Sequence, residues 1–251
     1  MNMPVITTMI MTTLPDLEIL DTLWKSRHSE DDLRDHNRLL DALARENIDL
    51  ATRYEIDFRR ARAHQFAAML LLEKGETKAA RAEFERGVEV SQWTLAASAN
   101  GSLGEIERAE GRFWWAVNTL EQGRLSGKWA AFFAARGAKP HLERVLLVDE
   151  TYHFAGAHRV LGRLAHLAPR NVGGGLEVSK THFDRALQIA DNSTTRLYFA
   201  ALLDDVGEKA AARAQIEAIL NAPDDANWRW EQERDREKAR QWLAEIKDLS
   251  L

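Results

Sequence analysis

The sequence contains few residues in the patterns that catalysis requires. His153 and His158 are five residues apart, so on a helix they lie on different faces and cannot share a metal ion as residues four apart can. Asp204 and Asp205, just before Gly207, are more typical of a solvated helix end than of an acid–base pair. A His-Glu-x-x-His motif, a glycine-rich phosphate loop and a nucleophile elbow are all missing. We therefore predict no catalytic residue, no metal site and no cofactor. A non-enzymatic protein is favoured, and an enzyme stays the alternative.

The residues best suited to binding are aromatic, basic and amide side chains. Arg159 and Arg163 are one helical turn apart and could hold an anion together, although exposed arginines on a helix are usually only solvated. Asn118 stands in an otherwise apolar segment, where it either pairs with a backbone group or points into a cavity. Adjacent Trp114 and Trp115 are about 100° apart on a helix, so one of them could line a groove. The ligand- or partner-binding residues that we predict are Trp114, Trp115, Asn118, Trp129, Tyr152, His153, Arg159 and Arg163.

The segment that follows Gly111 is the most aromatic part of the chain. Its large rings are Phe113, Trp114, Trp115, Trp129, Phe132 and Phe133. Bulky aromatic side chains on helices most often belong to the core. We expect these residues as a group to be buried, with one of the two adjacent tryptophans as an exception.

A repeated spacing of small and large residues indicates the elements that must hold these side chains. The clearest copies are Gly174, Ser179, Phe183 and Ala186, followed 33 residues later by Gly207, Ala212, Ile216 and Ile219. The same offsets start from Gly75 and, more loosely, from Gly111. A period near 34 residues is typical of tetratricopeptide repeats, in which a small residue lets two helices approach and a glycine ends the first helix. We predict an all-α fold of stacked antiparallel helical hairpins, a tetratricopeptide-like α-solenoid.

The repeat pattern also suggests how the chain is divided. Residues 1–14 are uncharged and are expected to form a flexible or strap-like tail, residues 15–223 the helical repeat domain, and residues 224–251 a charged C-terminal capping helix. Ser29 is expected to cap a helix, and Pro140 to be the first residue of another. In the helix over residues 50–74, Arg59, Arg60 and Arg62 should face water.

Composition narrows the classes of partner. The 251 residues are 45% hydrophobic and 29% charged, as in a folded protein, and the net charge of -5 gives no overall attraction to nucleic acid or anionic lipid. There is no cysteine, hence no disulfide or thiolate metal site. No apolar run reaches the roughly 18 residues needed to span a membrane. We expect no nucleic-acid binding and no membrane insertion, and a cytoplasmic location as the sequence stands; the periplasm is the alternative if an export signal was removed.

Within residues 103–225 the sequence resembles the T-component of TRAP transporters and, more distantly, the regulators of microtubule dynamics. The matching residues are Ala155, Gly156, Ala157, Arg159, Leu161, Gly162, Pro169, the glycine loop 173–175, Phe183, Ala186, Leu187, Arg196, Leu197, Ala200, Gly207, Ala210, Leu220 and Pro223. The resemblance implies an all-helical tetratricopeptide-like fold without catalytic activity. It also implies self-association and the binding of a partner protein or a small ligand.

Two classes of function remain open. The first is a non-enzymatic interaction module that presents aromatic and basic residues to a protein, a peptide or another copy of itself. The second is a small-molecule-binding protein or pathway enzyme, with a pocket for a small apolar ligand where Trp114, Trp115, Trp129, Tyr152 and His153 converge. A closed apolar cavity above about 300 Å³ with His153 or Asn118 pointing inward would favour the second class.

Overall fold

The computed structural model of the protein describes residues 14–46, 48–99 and 108–248, in which the regular elements are helical. They are α1 (Leu14–Lys25), α2 (Glu30–Leu43), α3 (Leu50–Glu73), α4 (Thr77–Ala99), α5 (Glu110–Ser126), α6 (Lys128–Asp149), α7 (Tyr152–Leu167), a 3-10 turn (Arg170–Val172), α8 (Leu176–Ile189), α9 (Ser193–Asp205), α10 (Lys209–Asn221) and α11 (Arg229–Asp248). The predicted all-α fold class is confirmed. The predicted tail, residues 1–14, lies outside the described residues apart from Leu14, where α1 begins.

The chain divides into two compact units, Met1–Ala134 and Ala135–Leu251. Each unit contains its own clusters of buried apolar side chains. The sequence-based division into a repeat domain and a capping segment stays a prediction.

Side-chain caps and glycines set several helix ends. Ser29 accepts the backbone N–H of Asp32 at the start of α2, as predicted, and Asp49 caps α3 in the same way. Gly75 separates α3 from α4 with φ +77°, a backbone angle that favours glycine over residues with a Cβ. The connection of three residues makes these two packed helices antiparallel neighbours.

In the first unit, small residues allow the close packing of α4 against its neighbours. Helix α3 packs on α4, and α4 packs on α5. Ala80 and Phe84 are fully buried in α4. A Cβ at Gly87 would lie 2.4 Å from Oδ1 of Asn118 on α5, so a larger residue would push the two helices apart. The predicted small and large positions of this repeat are therefore core positions.

The second unit uses the same packing rule. A Cβ at Gly162 on α7 would lie 2.9 Å from the ring of Phe183 on α8, and Ser179 donates from Oγ to the Gly162 carbonyl oxygen over 2.7 Å. Ala186 and Ala212 are fully buried, at the positions where the sequence predicted close helix contacts. Helix α11 packs against α9 and α10 and is tied to the preceding loop by Gln232.

One predicted helix boundary is wrong. Pro140 does not begin a helix but lies inside α6. Proline lacks the N–H that would bond the carbonyl of Arg136, four residues earlier. Both residues are exposed, so water can reach that carbonyl and the helix can continue.

Candidate interaction site

Three large aromatic side chains at the start of α6 are exposed to solvent. The exposed fraction is 78% for Trp129, 63% for Phe133 and 44% for Phe132. The rings of Phe132 and Phe133 meet edge to face with their centroids 5.5 Å apart. The prediction that these residues belong to the core is therefore wrong, whereas Phe113 and Trp114 on α5 are buried as expected. We call Trp129, Phe132 and Phe133 the aromatic face.

The other side of the same helix explains why the aromatic face is exposed. A Cβ at Gly123 of α5 would lie 2.5 Å from the Cβ of Ala134 and 3.0 Å from the carbonyl oxygen of Ala130. Glycine and alanine thus make the contact between α5 and α6. Because successive helix residues turn by about 100°, the aromatic side chains lie on the side away from this contact. The fold turns the small residues of this segment toward α5, where Ala130 and Ala134 are half-buried, and leaves the large ones exposed.

The second unit contains an unusual turn at the start of α7. His153, Phe154 and Ala155 have φ values of +53°, +57° and +54°, with ψ between 40° and 51°. These are left-handed helical angles, which cost residues other than glycine about 1–2 kcal/mol each. Three in succession persist only where the surrounding structure holds them.

Arg159 supplies part of that support. Its side chain is only 5% exposed. Nη1 donates to the carbonyl oxygen of Phe154 (3.2 Å) and to Oδ1 of Asn192 (3.5 Å), and Nη2 donates to the carbonyl oxygen of His153 (3.4 Å). Burial lowers the pKa of Arg159 to about 10, because water is removed while the described hydrogen-bond partners are neutral oxygens. The guanidinium still carries its charge at neutral pH.

Trp228, just before α11, packs against the left-handed turn. Its ring centroid lies 5.1 Å from that of His153, 4.9 Å from that of Phe154 and 5.3 Å from Cζ of Arg159. Its Nε1 donates to Oγ1 of Thr194 over 3.3 Å. The approach of α11 thus helps to fix the backbone of the first turn of α7.

A fully buried carboxylate anchors α11 to the beginning of α9. Asp235 is 0% exposed. It accepts hydrogen bonds from the hydroxyl groups of Ser193 and Thr194 and pairs with Arg234 (2.8 Å). Because each acceptor bond offsets the cost of burying the charge, this network can hold the carboxylate in the core.

The structure places the predicted site residues of the first unit in different environments. Trp114 is buried, Trp115 is half-buried and Trp129 is exposed. Asn118 is buried, and its Nδ2 donates to the carbonyl oxygens of Ala61 (3.2 Å) and Trp114 (2.8 Å). Of the two roles considered for Asn118, these bonds favour the pairing with backbone groups.

The predicted residues of the second unit are partly brought together. Tyr152 and His153 have ring centroids 6.1 Å apart, and His153 shares the Trp228 ring with Arg159. Arg163 instead contacts His166 (2.7 Å) and the ring of Tyr198. The expectation that Arg159 is exposed is wrong, and so is the same expectation for Arg59, which is 7% exposed. Whether any of the eight residues binds a ligand or partner stays a prediction.

Sequence reasoning missed the contribution of Trp228, which lies 69 positions after Arg159. No spacing in the chain links this tryptophan to the residues of α7. The contact forms only when α7 and the start of α11 pack together, so the sequence carries no signal for it.

The first unit also contains a partly open cavity of about 490 Å³ between the loop before α3 and the helices α3 and α4. Its lining mixes apolar residues, such as Trp93 and Ile48, with the charged side chains of Arg53, Asp57 and Glu89. None of the eight predicted site residues lines this cavity. It therefore differs from the closed apolar pocket that the sequence analysis considered.

Helices of the described residues are all too short or too polar to cross a membrane. The TRAP transporter T-component family matches residues 41–249, from the end of α2 to the end of α11. No curated protein matches the sequence. The family match includes the aromatic face, the left-handed turn and Trp228. It covers most of the chain and confirms the resemblance noted from the sequence: this protein belongs to the TRAP transporter T-component family.

Proposed function

We propose that the protein is a non-enzymatic T-component subunit that binds a protein partner of a TRAP transporter through the aromatic face of α6. The observation that carries the proposal is the exposure of Trp129, Phe132 and Phe133, which stand at positions i, i+3 and i+4 of one helix and so share one of its sides. Soluble proteins rarely expose contiguous large apolar side chains, and such patches mark interaction sites. Tryptophan in particular is enriched among the residues that dominate binding energy.

The aromatic face is held in place by the backbone beneath it. Ala134 contacts α5 at Gly123 with no long side chain between the two helices. Because this close contact fixes the backbone of α6 against α5, the helix can present its exposed side chains to a partner without a change in its own conformation. A preformed aromatic anchor loses less conformational freedom on binding than a flexible loop does.

The charge around the aromatic face indicates the chemistry of the partner. From Gln122 to Leu142 the sequence contains four basic residues and no acidic one, although the whole chain has a net charge of -5. Arg124 and Lys139 pair with Glu121 and Glu143 at the two ends of this segment, so Lys128 and Arg136 carry its remaining positive charge. A partner with acidic residues around an apolar pocket would complement this segment. Two copies meeting face to face would bring basic segments together, which disfavours a symmetric self-contact through this helix.

The direct test uses the solute-binding subunit of a TRAP transporter from the same genome as the immobilised partner. Biolayer interferometry should detect saturable binding of the wild-type chain. The double variant Trp129→Ala/Phe133→Ala should weaken binding at least about 30-fold, because truncating a hot-spot residue costs about 2 kcal/mol or more. Leu167→Ala is the matched control, since it removes an exposed apolar side chain from another helix.

The control should bind like the wild type. If wild type and the double variant bind equally, or if wild type does not bind, the aromatic face is not the site for this partner. Light scattering of the same samples tests whether the aromatic face binds a second copy of the chain instead. A wild-type oligomer that becomes monomeric in the double variant would assign the aromatic face to a second copy of the chain and overturn the proposal.

The cavity in the first unit supports a second candidate function, the binding of a small molecule. Arg53 and Arg60 hold Asp57 at its wall over 2.6 Å and 3.1 Å, so the charged groups there are already ordered. Trp93 offers an apolar surface to a ligand and a fluorescent reporter. A compound that binds there should change the tryptophan emission of the wild type but not that of Trp93→Phe. If a metabolite panel leaves the emission unchanged, this candidate is removed.

A further inference from the structure

The charged side chains that line the cavity of the first unit come from two packed helices and the loop before them. Arg53, Asp57 and Arg60 stand at positions i, i+4 and i+7 of α3 and so share one side of that helix. Glu89 and Trp93 stand four residues apart on α4, the antiparallel neighbour of α3. The two sets of side chains meet around a space of about 490 Å³.

The two arginines at the cavity wall share a single carboxylate. Asp57 accepts a hydrogen bond from Nε of Arg53 (2.6 Å) and another from Nη1 of Arg60 (3.1 Å). Nη1 of Arg53 also donates to the carbonyl oxygen of Ala44 (3.0 Å). Among the described residues, no acceptor lies at Nη2 of Arg53 or at Nε and Nη2 of Arg60. The wall therefore carries one positive charge in excess, with N–H donors left for an anion.

Glu46 and Glu89 bring two further carboxylates to the same cavity. Both residues are exposed, and neither carboxylate pairs with a cation in the part of the chain that the structure describes. Trp93 follows Glu89 by one turn of α4 and is half-buried. A tryptophan ring attracts an ammonium group that lies over its face within about 6 Å. The cavity thus offers a cation two carboxylates and an aromatic ring without the loss of an existing ion pair.

We propose that the cavity binds a zwitterion, a molecule with a carboxylate and an ammonium group on an apolar body; this inference rests on the small-molecule binding proposed above for the cavity. A simple anion would be attracted by the arginines but repelled by Glu46 and Glu89, and a simple cation would be repelled by the arginines. A zwitterion can place each charge against the opposite charge of the protein. Ile48 and Trp93 offer apolar surface to the rest of the molecule. Free amino acids with large apolar side chains and short peptides share this chemistry.

The size and the order of the cavity suit such a ligand. Pockets for small molecules usually measure about 300–1,000 Å³, and this one measures about 490 Å³. Asp57 is only 4% exposed and holds both guanidinium groups, so their donors are in place before a ligand arrives. A site ordered in advance loses less conformational freedom on binding.

The main test compares three probes that share a phenyl group and differ in charge. L-phenylalanine carries both charges, 3-phenylpropionate lacks the ammonium group and phenethylamine lacks the carboxylate. Isothermal titration calorimetry of the full chain at pH 7.5 should show one molecule of phenylalanine per chain, with a dissociation constant below about 1 mM. Each analogue should bind at least about tenfold more weakly, because it forms fewer charge-assisted hydrogen bonds.

The dipeptide phenylalanyl-leucine is the fourth probe and separates the two sources of the zwitterion. Binding of the dipeptide at least about tenfold tighter than that of phenylalanine would identify the free ends of a short peptide as the ligand. The opposite order would identify a free amino acid. Both results support the proposal.

Two substitutions at the cavity assign the charges to their partners. Arg60→Gln should weaken the binding of phenylalanine about tenfold without weakening that of phenethylamine, which has no carboxylate. Glu89→Gln should weaken the binding of phenylalanine without weakening that of 3-phenylpropionate, which has no ammonium group. Arg81→Gln and Glu85→Gln are the matched controls, since both residues are exposed on α4 and neither lines the cavity. Circular dichroism before each titration checks that the variants fold.

Three outcomes would overturn the zwitterion. They are no binding of either phenylalanine or the dipeptide, an analogue with one charge that binds as tightly as phenylalanine, and wild-type affinity in both Arg60→Gln and Glu89→Gln. The tryptophan emission of the wild type and of Trp93→Phe then shows how much fails. If a compound of another class changes only the wild-type emission, the cavity binds small molecules and the zwitterion alone is wrong. If no compound does so, small-molecule binding in the cavity is wrong as well.

Discussion

A buried arginine in each compact unit performs a different structural task. Arg59 in the first unit lies between two carboxylates: Nη2 is 2.9 Å from Asp21 and Nη1 is 2.7 Å from Glu55. Arg159 in the second unit bonds two backbone carbonyls and the side chain of Asn192. The first arginine joins α1 to α3 through ion pairs. The second holds a left-handed turn of the backbone.

The pKa values show the same difference. Burial alone would lower the pKa of Arg59, but its hydrogen bonds and ion pairs with Asp21 and Glu55 outweigh that cost and raise the pKa above its ordinary value. Burial dominates at Arg159 and lowers its pKa to about 10. When an arginine paired with carboxylates is lost, the carboxylates can find water or another cation, so the loss of stability should be modest. When an arginine that donates to the carbonyls of a strained turn is lost, few other donors can take its place, so the loss should be larger.

The largest effect is expected for Arg159→Met. The variant leaves the carbonyl oxygens of His153 and Phe154 without their guanidinium donors, and each unsatisfied buried group costs about 1–3 kcal/mol. Removing the buried charge recovers part of this cost. We expect a net loss of about 3 kcal/mol in the free energy of unfolding, measured by urea denaturation. Arg163→Met, one turn further along α7, should cost less than about 1 kcal/mol.

A stability of Arg159→Met equal to or above that of the wild type would show that desolvation of the charge outweighs its hydrogen bonds. Arg159 would then contribute less to the free energy of unfolding than Arg59, the opposite of the order expected here. Trp228 packs on the same turn, and the difference between the near-ultraviolet circular dichroism spectra of a chain and its Trp228→Phe variant isolates the signal of this ring. A change in that difference signal between the wild-type and Arg159→Met backgrounds would report that the turn itself has changed.

A smaller effect is expected for Arg59→Met, about 1–2 kcal/mol at pH 7, because Asp21 is 47% exposed and can regain water. Burial would raise the pKa of Asp21, but Arg59 outweighs this and holds it below the usual 3.8. The stabilisation from this pair is therefore present above pH 4 and is lost as the pH falls through the lowered pKa. Urea denaturation at several pH values should show the wild type and variant converging in acid. A difference that is constant down to pH 2 would contradict the role of Asp21.

The parts of the fold that depend on short-range spacing could be predicted from the sequence. The small residues Ala80, Ala186 and Ala212 recur at fixed offsets from a turn glycine, and each is fully buried. The exposure of Trp129 could not be predicted in this way, because the pattern shows that α6 has an alanine side and an aromatic side but not which of them meets α5. That choice depends on Gly123, which admits only a small partner.

The candidate sites depend on pairings over long distances in the sequence. Asp57 and Trp93 line one cavity, and Arg159 meets Trp228, through the packing of separate helices. The left-handed turn had no local signal at all, since positive φ angles are expected at glycine and this turn contains none. Only tertiary contacts can hold a backbone of that kind.

The smallest change in the free energy of unfolding is expected for alanine-to-glycine substitutions, which compare the strained turn with the regular helix two residues later. Ala155 and Ala157 are both buried in α7, but only Ala155 has a positive φ. Ala157→Gly should cost about 1 kcal/mol, the usual loss for glycine in a helix interior. Ala155→Gly should be close to neutral, because glycine relieves about 1–2 kcal/mol of backbone strain and so offsets the lost methyl contacts. Both values come from urea denaturation under the same conditions. Equal losses at the two positions would mean that the left-handed turn stores no strain, and Arg159 would then be holding a backbone that needs no support.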